Sequence, residues 1–525
     1  EEGAMNRFLL PPPAAAIARW GWYLSIGIVV LMSLTLNLAN NDFPLRYHFD
    51  EINKVQLIST DEVYFKHPLL MTQTSKFINH FLALTEPQEV VQLGRSVNGV
   101  MAAATVLLCF VLFRTAMRAW LALLAAFTVG TSPIMVVHAH YLKEDVLLTF
   151  FLLLSLFLLL LLVNSVLAGD IRNKRLALLL GVSTGLALSS HYKGGVLVLL
   201  FAAVPLVLRG TLDVKAYRRQ ILLVLGIALG VFLLVNHSLL SHLHKFKGDF
   251  AFEFRHALKG HDVRVYPWQF FFGFHFVYSL VPGLTVVVAI AGLLGYFHTL
   301  IRWTKIDWRL KILALYTGIF YLVPEASPLK PFPDYMRYML PVAPLFIFFS
   351  YLLLGNLYSS APRFAGRAAV VAVMLSVATL PLPRTFALVN CLTRDTRAQA
   401  EEWVKLSGAE ARFEVYSSAS RQDIGKLWKL DLDRERASGV THVVSSSLMY
   451  ERYEFGAGLA GQPPEIYAAA AKYRELFSLP YIEIKPECMT FAFSNPTIRI
   501  IDIRGTRPPV RSSVTIPPRD GVPGQ

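Results

Sequence analysis

The feature that most constrains this sequence is a succession of apolar runs of about 17–24 residues, with some shorter, separated by short polar breaks. A helix of that length crosses the hydrocarbon core of a bilayer. In lipid, only helices and closed barrels satisfy their own backbone polar groups. These runs are continuous and Leu-rich, which excludes the alternating pattern of a barrel strand. The predicted spans are 20–39, 92–112, 121–137, 146–168, 176–189, 195–208, 221–236, 280–297, 312–323, 340–358 and 368–382, about eleven in all. The fold class expected is an α-helical polytopic membrane protein with a C-terminal soluble α/β domain.

Composition agrees. The chain is 54% apolar and 16% charged, where a soluble chain carries roughly a quarter charged residues. A net charge of +14 raises the question of nucleic acid, but the placement of the basic residues answers it. They fall in alternate short breaks: Arg114 and Arg118; Arg172, Lys174 and Arg175; Arg209, Lys215, Arg218 and Arg219; Arg302, Lys305, Arg309 and Lys311; Arg363 and Arg367. That is the positive-inside pattern, which puts these breaks in the cytoplasm. Nucleic acid is therefore not an expected partner; membrane lipids are. With the N-terminus inside, an odd number of spans puts the C-terminus outside. The expectation is a multi-pass protein of the cytoplasmic (inner) membrane with its C-terminal domain on the outer, periplasmic side.

The chain divides into a membrane domain over 5–383, an outer domain over 384–506 and a Pro-rich tail over 507–525, expected to be disordered. Residues 1–4 read as a remnant ahead of Met5. In the outer domain, helices are expected at 395–406 and 465–476, and strands at 412–417, 441–445 and 498–503. Cys109 lies inside a span. Cys391 and Cys488 both fall in the outer domain, where an oxidising compartment permits a disulfide between them.

The polar residues concentrate in the outer loops. The first carries Asp50-Glu51 and then Lys66-His67-Pro68-Leu69. Adjacent carboxylates supply a general base or a metal ligand, and Lys66 and His67 supply positive charge for a phosphate; ordinary solvated loop charge is the competing reading. In the second loop, Glu144-Asp145 opens a span, where capping and dipole effects alone favour acids. His138 and His140 form a two-histidine site only if the chain there is extended. At His191-Tyr192-Lys193-Gly194-Gly195, the lysine either snorkels or joins the backbone amides in an anion seat. Arg337, near the prolines of the last outer loop, is an interfacial anchor or a phosphate ligand. Residues 246–259 interleave phenylalanine with charge, as in an amphipathic helix lying on the outer leaflet. Singly, each cluster has a bland explanation. Jointly, they place acids and cations on one side of the membrane, above the bundle and open to lipid, which suits a substrate with a lipid tail and a phosphate head.

In this arrangement the chain resembles the GT-C superfamily of polyprenyl-phosphate-dependent glycosyltransferases, and within it the protein O-mannosyltransferase and aminoarabinose transferase group. Phe49-Asp50-Glu51 resembles the acidic pair of the first loop in that family, and Lys66-His67-Pro68-Leu69 its [KH]-P-P-L element, with His67 where proline is usual. Ser132-Pro133 followed by Asp145 resembles the second loop. Gly185-Leu186-Ala187 leading to Lys193-Gly194 resembles a G-L-A-x-x-x-K-G element with looser spacing, and Arg337-Tyr338-Met339-Leu340-Pro341 an R-Y-x-x-P element. The resemblance implies an inverting transfer of a sugar from a polyprenyl-phosphate donor to a lipid, glycan or protein acceptor. Asp50 would be the catalytic base and Glu51 would orient it. Glu144 and Asp145 would hold the acceptor or a divalent metal ion, the one cofactor in question, and Lys66, His67, Lys193 and Arg337 the donor phosphate. The alternative from another class, a transporter or lipid flippase, calls for ionisable residues near the bilayer midplane and an internal repeat; neither stands out.

Overall fold

The computed structural model describes residues 16–60, 62–170, 174–260, 262–330, 332, 335–420, 424–504 and 512–513. Among these, six helices are long and apolar enough to cross a membrane, and eight if two bent pairs each count as one span. The bends fall between Ala119–Thr131 and Pro133–Ala139, at 50°, and between Phe276–Leu284 and Val286–Ile301, at 117°. In the first, Pro133 opens the second half and cannot donate to the preceding turn. The count is lower than expected for reasons visible in three elements. The spans at 176–189 and 195–208 sit on the helices Lys174–Ser190 and Leu197–Val207, which are short, the latter with Pro205 inside it. The span at 312–323 sits on Trp308–Ala326, which carries Arg309, Lys311 and Glu325.

Close packing joins the helices where side chains vanish. A Cβ on Gly292 or Gly295 would lie 2.5 or 2.0 Å from the carbonyl oxygens of Phe346 and Phe349. Val286–Ile301 therefore meets Ala343–Ser360 nearly backbone to backbone, the contact small residues allow in membrane bundles.

The C-terminal part contains a five-stranded mixed sheet. Its strands are β1 (Ala411–Phe413), β2 (His442–Ser446), β3 (Tyr481–Ile484), β4 (Ile498–Asp502) and β5 (Ser512–Ser513), in the order β1-β2-β4-β3-β5. β1 and β2 run parallel, while β4 is antiparallel to both β2 and β3. Helices Thr396–Ser407 and Pro464–Leu476 lie where the sequence pattern puts them. β3 and the helix Ser447–Ala457 were not evident in that pattern. The tail 507–525 lies outside the described residues except for Ser512–Ser513, which pair with β3. Cys391 and Cys488 are joined by a disulfide, with Cα atoms 6.3 Å apart; Cys109 is free and buried.

The interleaved segment forms the helix Leu243–Lys259, none of whose residues is buried. Phe246, Phe250 and Phe254 stack along one side of it, and Phe252, Glu253 and His256 face the cavity described next.

Candidate active site

Helix Phe49–Ser59 places the first acids. His48 caps it, its Nδ1 accepting from the Asp50 amide at 3.3 Å. Two carboxylates in a first turn suit the positive end of the helix dipole. Neighbours on a helix diverge by about 100°, and here the divergence decides their roles.

Glu51 turns inward and is fully buried. Its carboxylate accepts from Arg95 Nε at 3.0 Å and Nη2 at 2.6 Å, and from the Leu142 amide at 2.6 Å. Arg95 also donates to the carbonyls of Asn41 and Phe43, and its guanidinium lies 3.5 Å from the Phe43 ring. This knot ties the first and second loops to helix Pro87–Phe113. Glu51, expected to orient Asp50, holds the helix that carries it and is not among the residues lining the cavity.

Asp50 turns the other way, into a cavity of about 420 Å³. Its Oδ2 accepts from Lys143 Nζ at 2.5 Å and lies 3.8 Å from Arg337 Nη1. Burial pushes this carboxyl up, but Lys143, His48 and Arg337 outweigh it and hold it well below the usual carboxylate range. Glu144 lines the same cavity and is ion-paired with Lys54. Its Oε2 accepts no hydrogen bond among the described residues. Burial opposes its ionisation, and Lys54, His67 and Lys143 prevail to keep its carboxyl lowered. Asp145 is buried at the start of helix Asp145–Leu167 and is not among the residues lining the cavity. Asp145, expected with Glu144 at the acceptor or metal, is thus not brought to the cavity lining.

Of the expected cations, Lys66 and Arg337 line the cavity. Lys66 Nζ sits 4.2 Å from the Phe252 ring centre. His67 also lines it, but as a neutral imidazole: burial, assisted by Lys143 and Lys54, lowers its pKa to about 4 against the pull of Glu144. It does not carry the positive charge expected of it. Lys193 is corrected as well. Its Nζ lies 3.3 Å from the centre of the Tyr338 ring, so it backs a cavity residue and does not itself line the space. The anion seat is not formed there. The Gly194 amide donates to the His191 carbonyl at 2.8 Å and the Lys193 amide to His191 Nδ1 at 3.2 Å. Gly194 is needed for contact, because a Cβ there would meet the Ala187 carbonyl at 2.6 Å. His138 and His140 are spent on backbone carbonyls, those of Ile134, Val136 and Ala39.

The metal expectation fails a test of fit. Among the described residues no group of three or more His, Cys, Asp and Glu is arranged to hold an ion. Of the four acids that line the cavity, Asp50 and Glu144 each already hold a lysine and Asp262 is paired with Lys426 and Arg452.

Sequence reasoning missed Lys54 and Lys143. Lys54 stands four residues after Asp50, on the same helix face, and Lys143 adjoins Glu144, so charge spacing held the signal. It also missed the contribution of the C-terminal part: Tyr416, Arg452 and Phe493 line the cavity. Phe493 packs its ring 4.0 Å from His48. Arg452 donates to Asp262 at 3.0 Å. Tyr416 takes a left-handed backbone, φ 67°, a strained conformation of the kind found at functional sites.

Residues 74–240 match the family described as dolichyl-phosphate-mannose-protein mannosyltransferase. No curated protein sequence matches the chain as a whole or in part. The oligosaccharyltransferase of Archaeoglobus fulgidus superposes with a TM-score of 0.58 at 11% identity, over 94% of this chain and 76% of that one. Its complex with an inhibitory peptide and a dolichol-phosphate gives 0.57 at 12%, over 91% and 74%. ArnT from Cupriavidus metallidurans bound to undecaprenyl phosphate gives 0.53 at 13%, over 93% and 98%. The fold is that of the GT-C membrane enzymes. The family match, over residues 74–240, lies within the part of the chain that shares this fold.

Proposed function

We propose that this enzyme transfers a sugar from a polyprenyl-phosphate donor to an acceptor hydroxyl, with inversion, at the outer face of the cytoplasmic membrane. The observation that carries the reading is the convergence of Asp50, Glu144, Lys66 and Arg337 on one cavity. The acceptor oxygen attacks the anomeric carbon and gives its proton to Asp50. The bond from that carbon to the phosphate oxygen breaks, and its electron pair leaves with the lipid phosphate. Cations stabilise that leaving group without protonating it, so Lys66 and Arg337 are assigned to the phosphate. Deprotonation then needs only one carboxylate, and even one held ionised by its neighbours serves when the hydroxyl loses its proton late in the step. Glu144, whose Oε2 is unpaired among the described residues, is assigned to orienting the acceptor. Its class, whether lipid, glycan or protein, is read by the part of the cavity that Tyr416, Arg452 and Phe493 supply.

In this reading residues 5–383 form the membrane domain and 384–506 an outer, periplasmic domain roofing the cavity. The test is lipid mass spectrometry of the purified protein together with binding of undecaprenyl phosphate. A co-purifying polyprenyl phosphate, or saturable binding lost in Arg337→Ala, supports the assignment; absence of both refutes it. For the orientation, a C-terminal alkaline phosphatase fusion is expected to be active, and an inactive fusion beside a fluorescent cytoplasmic reporter would reverse it.

A further inference from the structure

Two of the cavity acids, Asp50 and Glu144, and their lysines form a crossed clasp. Asp50 and Lys54 stand one turn apart on helix Phe49–Ser59, and Lys143 and Glu144 are adjacent in the second loop. Asp50 reaches Lys143, while Lys54 reaches Glu144. Each loop thus gives one acid and one base to the other. The set sums to zero charge, and the lysines are 5% and 4% exposed.

We propose that Lys54 and Lys143 are the resident counter-cations of the transfer site, standing where a divalent ion would otherwise join Asp50 to Glu144, so that the site works without a metal. The inference rests on the transferase reading for its mechanism but not for its test. A divalent ion needs bare carboxylate oxygens and excess negative charge. Here the nearer oxygen of each acid is taken by an ammonium. Adding two positive charges to a neutral cluster that also faces Arg337 and Lys66 is repulsive. The other cavity acids do not alter this: Asp262 is already paired with Lys426 and Arg452, and burial pushes the Glu253 carboxyl up, against its ionisation. The ammonium groups also do what a bound ion does for a carboxylate. They fix its orientation and keep it ionised, and Lys143 does so without being among the residues that line the cavity. Lys54 and Lys143 are positioning residues in this account.

The experiment is Mn²⁺ titration of the detergent-purified full chain followed by electron paramagnetic resonance. Wild type is expected to bind no Mn²⁺ that Asp50→Asn or Glu144→Gln removes. The pair Lys54→Met with Lys143→Met bares both carboxylates and is expected to gain such a site, at least roughly tenfold tighter than any in wild type. A merely structural role for the lysines predicts no such gain. A Mn²⁺ site in wild type that is lost in Asp50→Asn overturns the proposal, and so does a folded double variant that gains none. If the double variant does not fold, the comparison of wild type with Asp50→Asn still decides. Undecaprenyl phosphate binding, measured in parallel with and without EDTA, separates the two readings. Binding abolished by EDTA overturns the metal-free site. Binding absent under every condition overturns the transferase reading, while the Mn²⁺ titration continues to judge this one.

Discussion

Replacing Glu51 by Gln tests whether this acid holds the fold or takes part in the chemistry. Its carboxylate accepts three hydrogen bonds and forms a two-point pair with Arg95, both side chains fully shielded from solvent. Removing one member of a buried pair costs about 3–5 kcal/mol, because the other charge stays buried and uncompensated. Gln keeps the shape and one acceptor oxygen, and Arg95 keeps the carbonyls of Asn41 and Phe43, so the low end, about 3 kcal/mol, applies. Glu51→Ala also strips the Leu142 amide of its acceptor and adds about 1–3 kcal/mol. Thermal unfolding in detergent is expected to show Glu51→Gln lowered by on the order of 5 °C, with Glu51→Ala lower still. The double change Glu51→Leu with Arg95→Met should recover only part of the Glu51→Ala loss: it removes the uncompensated buried charge but still leaves the Leu142 amide and the Asn41 and Phe43 carbonyls unpaired. A Glu51→Gln protein that melts like wild type but has lost transfer would refute the structural assignment and return Glu51 to the reacting centre.

Other expectations follow from the same geometry. Asp50→Asn should lower transfer about 100-fold or more while undecaprenyl phosphate binding stays near wild type; unchanged turnover would shift the base to Glu144. Lys193→Ala should weaken that binding less than Arg337→Ala does, because Lys193 acts through the Tyr338 ring; calorimetric titration of both variants checks the order. In the sheet region, Glu414 is buried and accepts from the Leu427 amide at 2.7 Å and the Ser445 hydroxyl at 2.6 Å. Burial pushes its carboxyl up from 4.5 to about 7. A raised folded-state pKa contributes stability that is complete below 4.5 and is lost as the pH rises through about 7. Glu414→Gln should therefore flatten thermal stability across that window, and an undiminished slope would refute it.

The order of the helices was legible because apolar runs report burial in lipid directly. Which runs break was less so: Pro133 marks a bend, but the 117° corner before Val286–Ile301 is a tertiary outcome. At the site, Asp50, Lys66, Glu144 and Arg337 could be picked out as residue types in outer loops, and they line one cavity. What the chain did not disclose was direction. Asp50 from Glu51, and Glu144 from Asp145, are single-residue steps, and a helix turn separates each pair into a cavity face and a packed face. Lys143 lies 93 residues from Asp50 and Phe493 lies far from His48 in the chain, so only the folded bundle brings them together. Lys193-Gly194 looked like an anion seat because its composition fits one, yet close contact with Ala187 explains the glycine equally well.

The placement of the cations around Asp50 bears on how the proposed transfer avoids a cost. During the step, Asp50 gains a proton and loses its charge, while the departing phosphate gains one. A cation fixed only to Asp50 would oppose that change, because it stabilises the carboxylate it must see neutralised. Lys143 is such a cation. Arg337 is not: it lines the cavity, stands at 3.8 Å from Asp50 rather than in close contact, and is 15% exposed. As the carboxylate is neutralised its hold on the guanidinium weakens, and the phosphate's hold grows by the same transfer of charge. One side chain then serves the base before the step and the leaving group after it. The fixed ammonium keeps Asp50 ionised and in place until the acceptor arrives, and the looser guanidinium follows the charge to the phosphate.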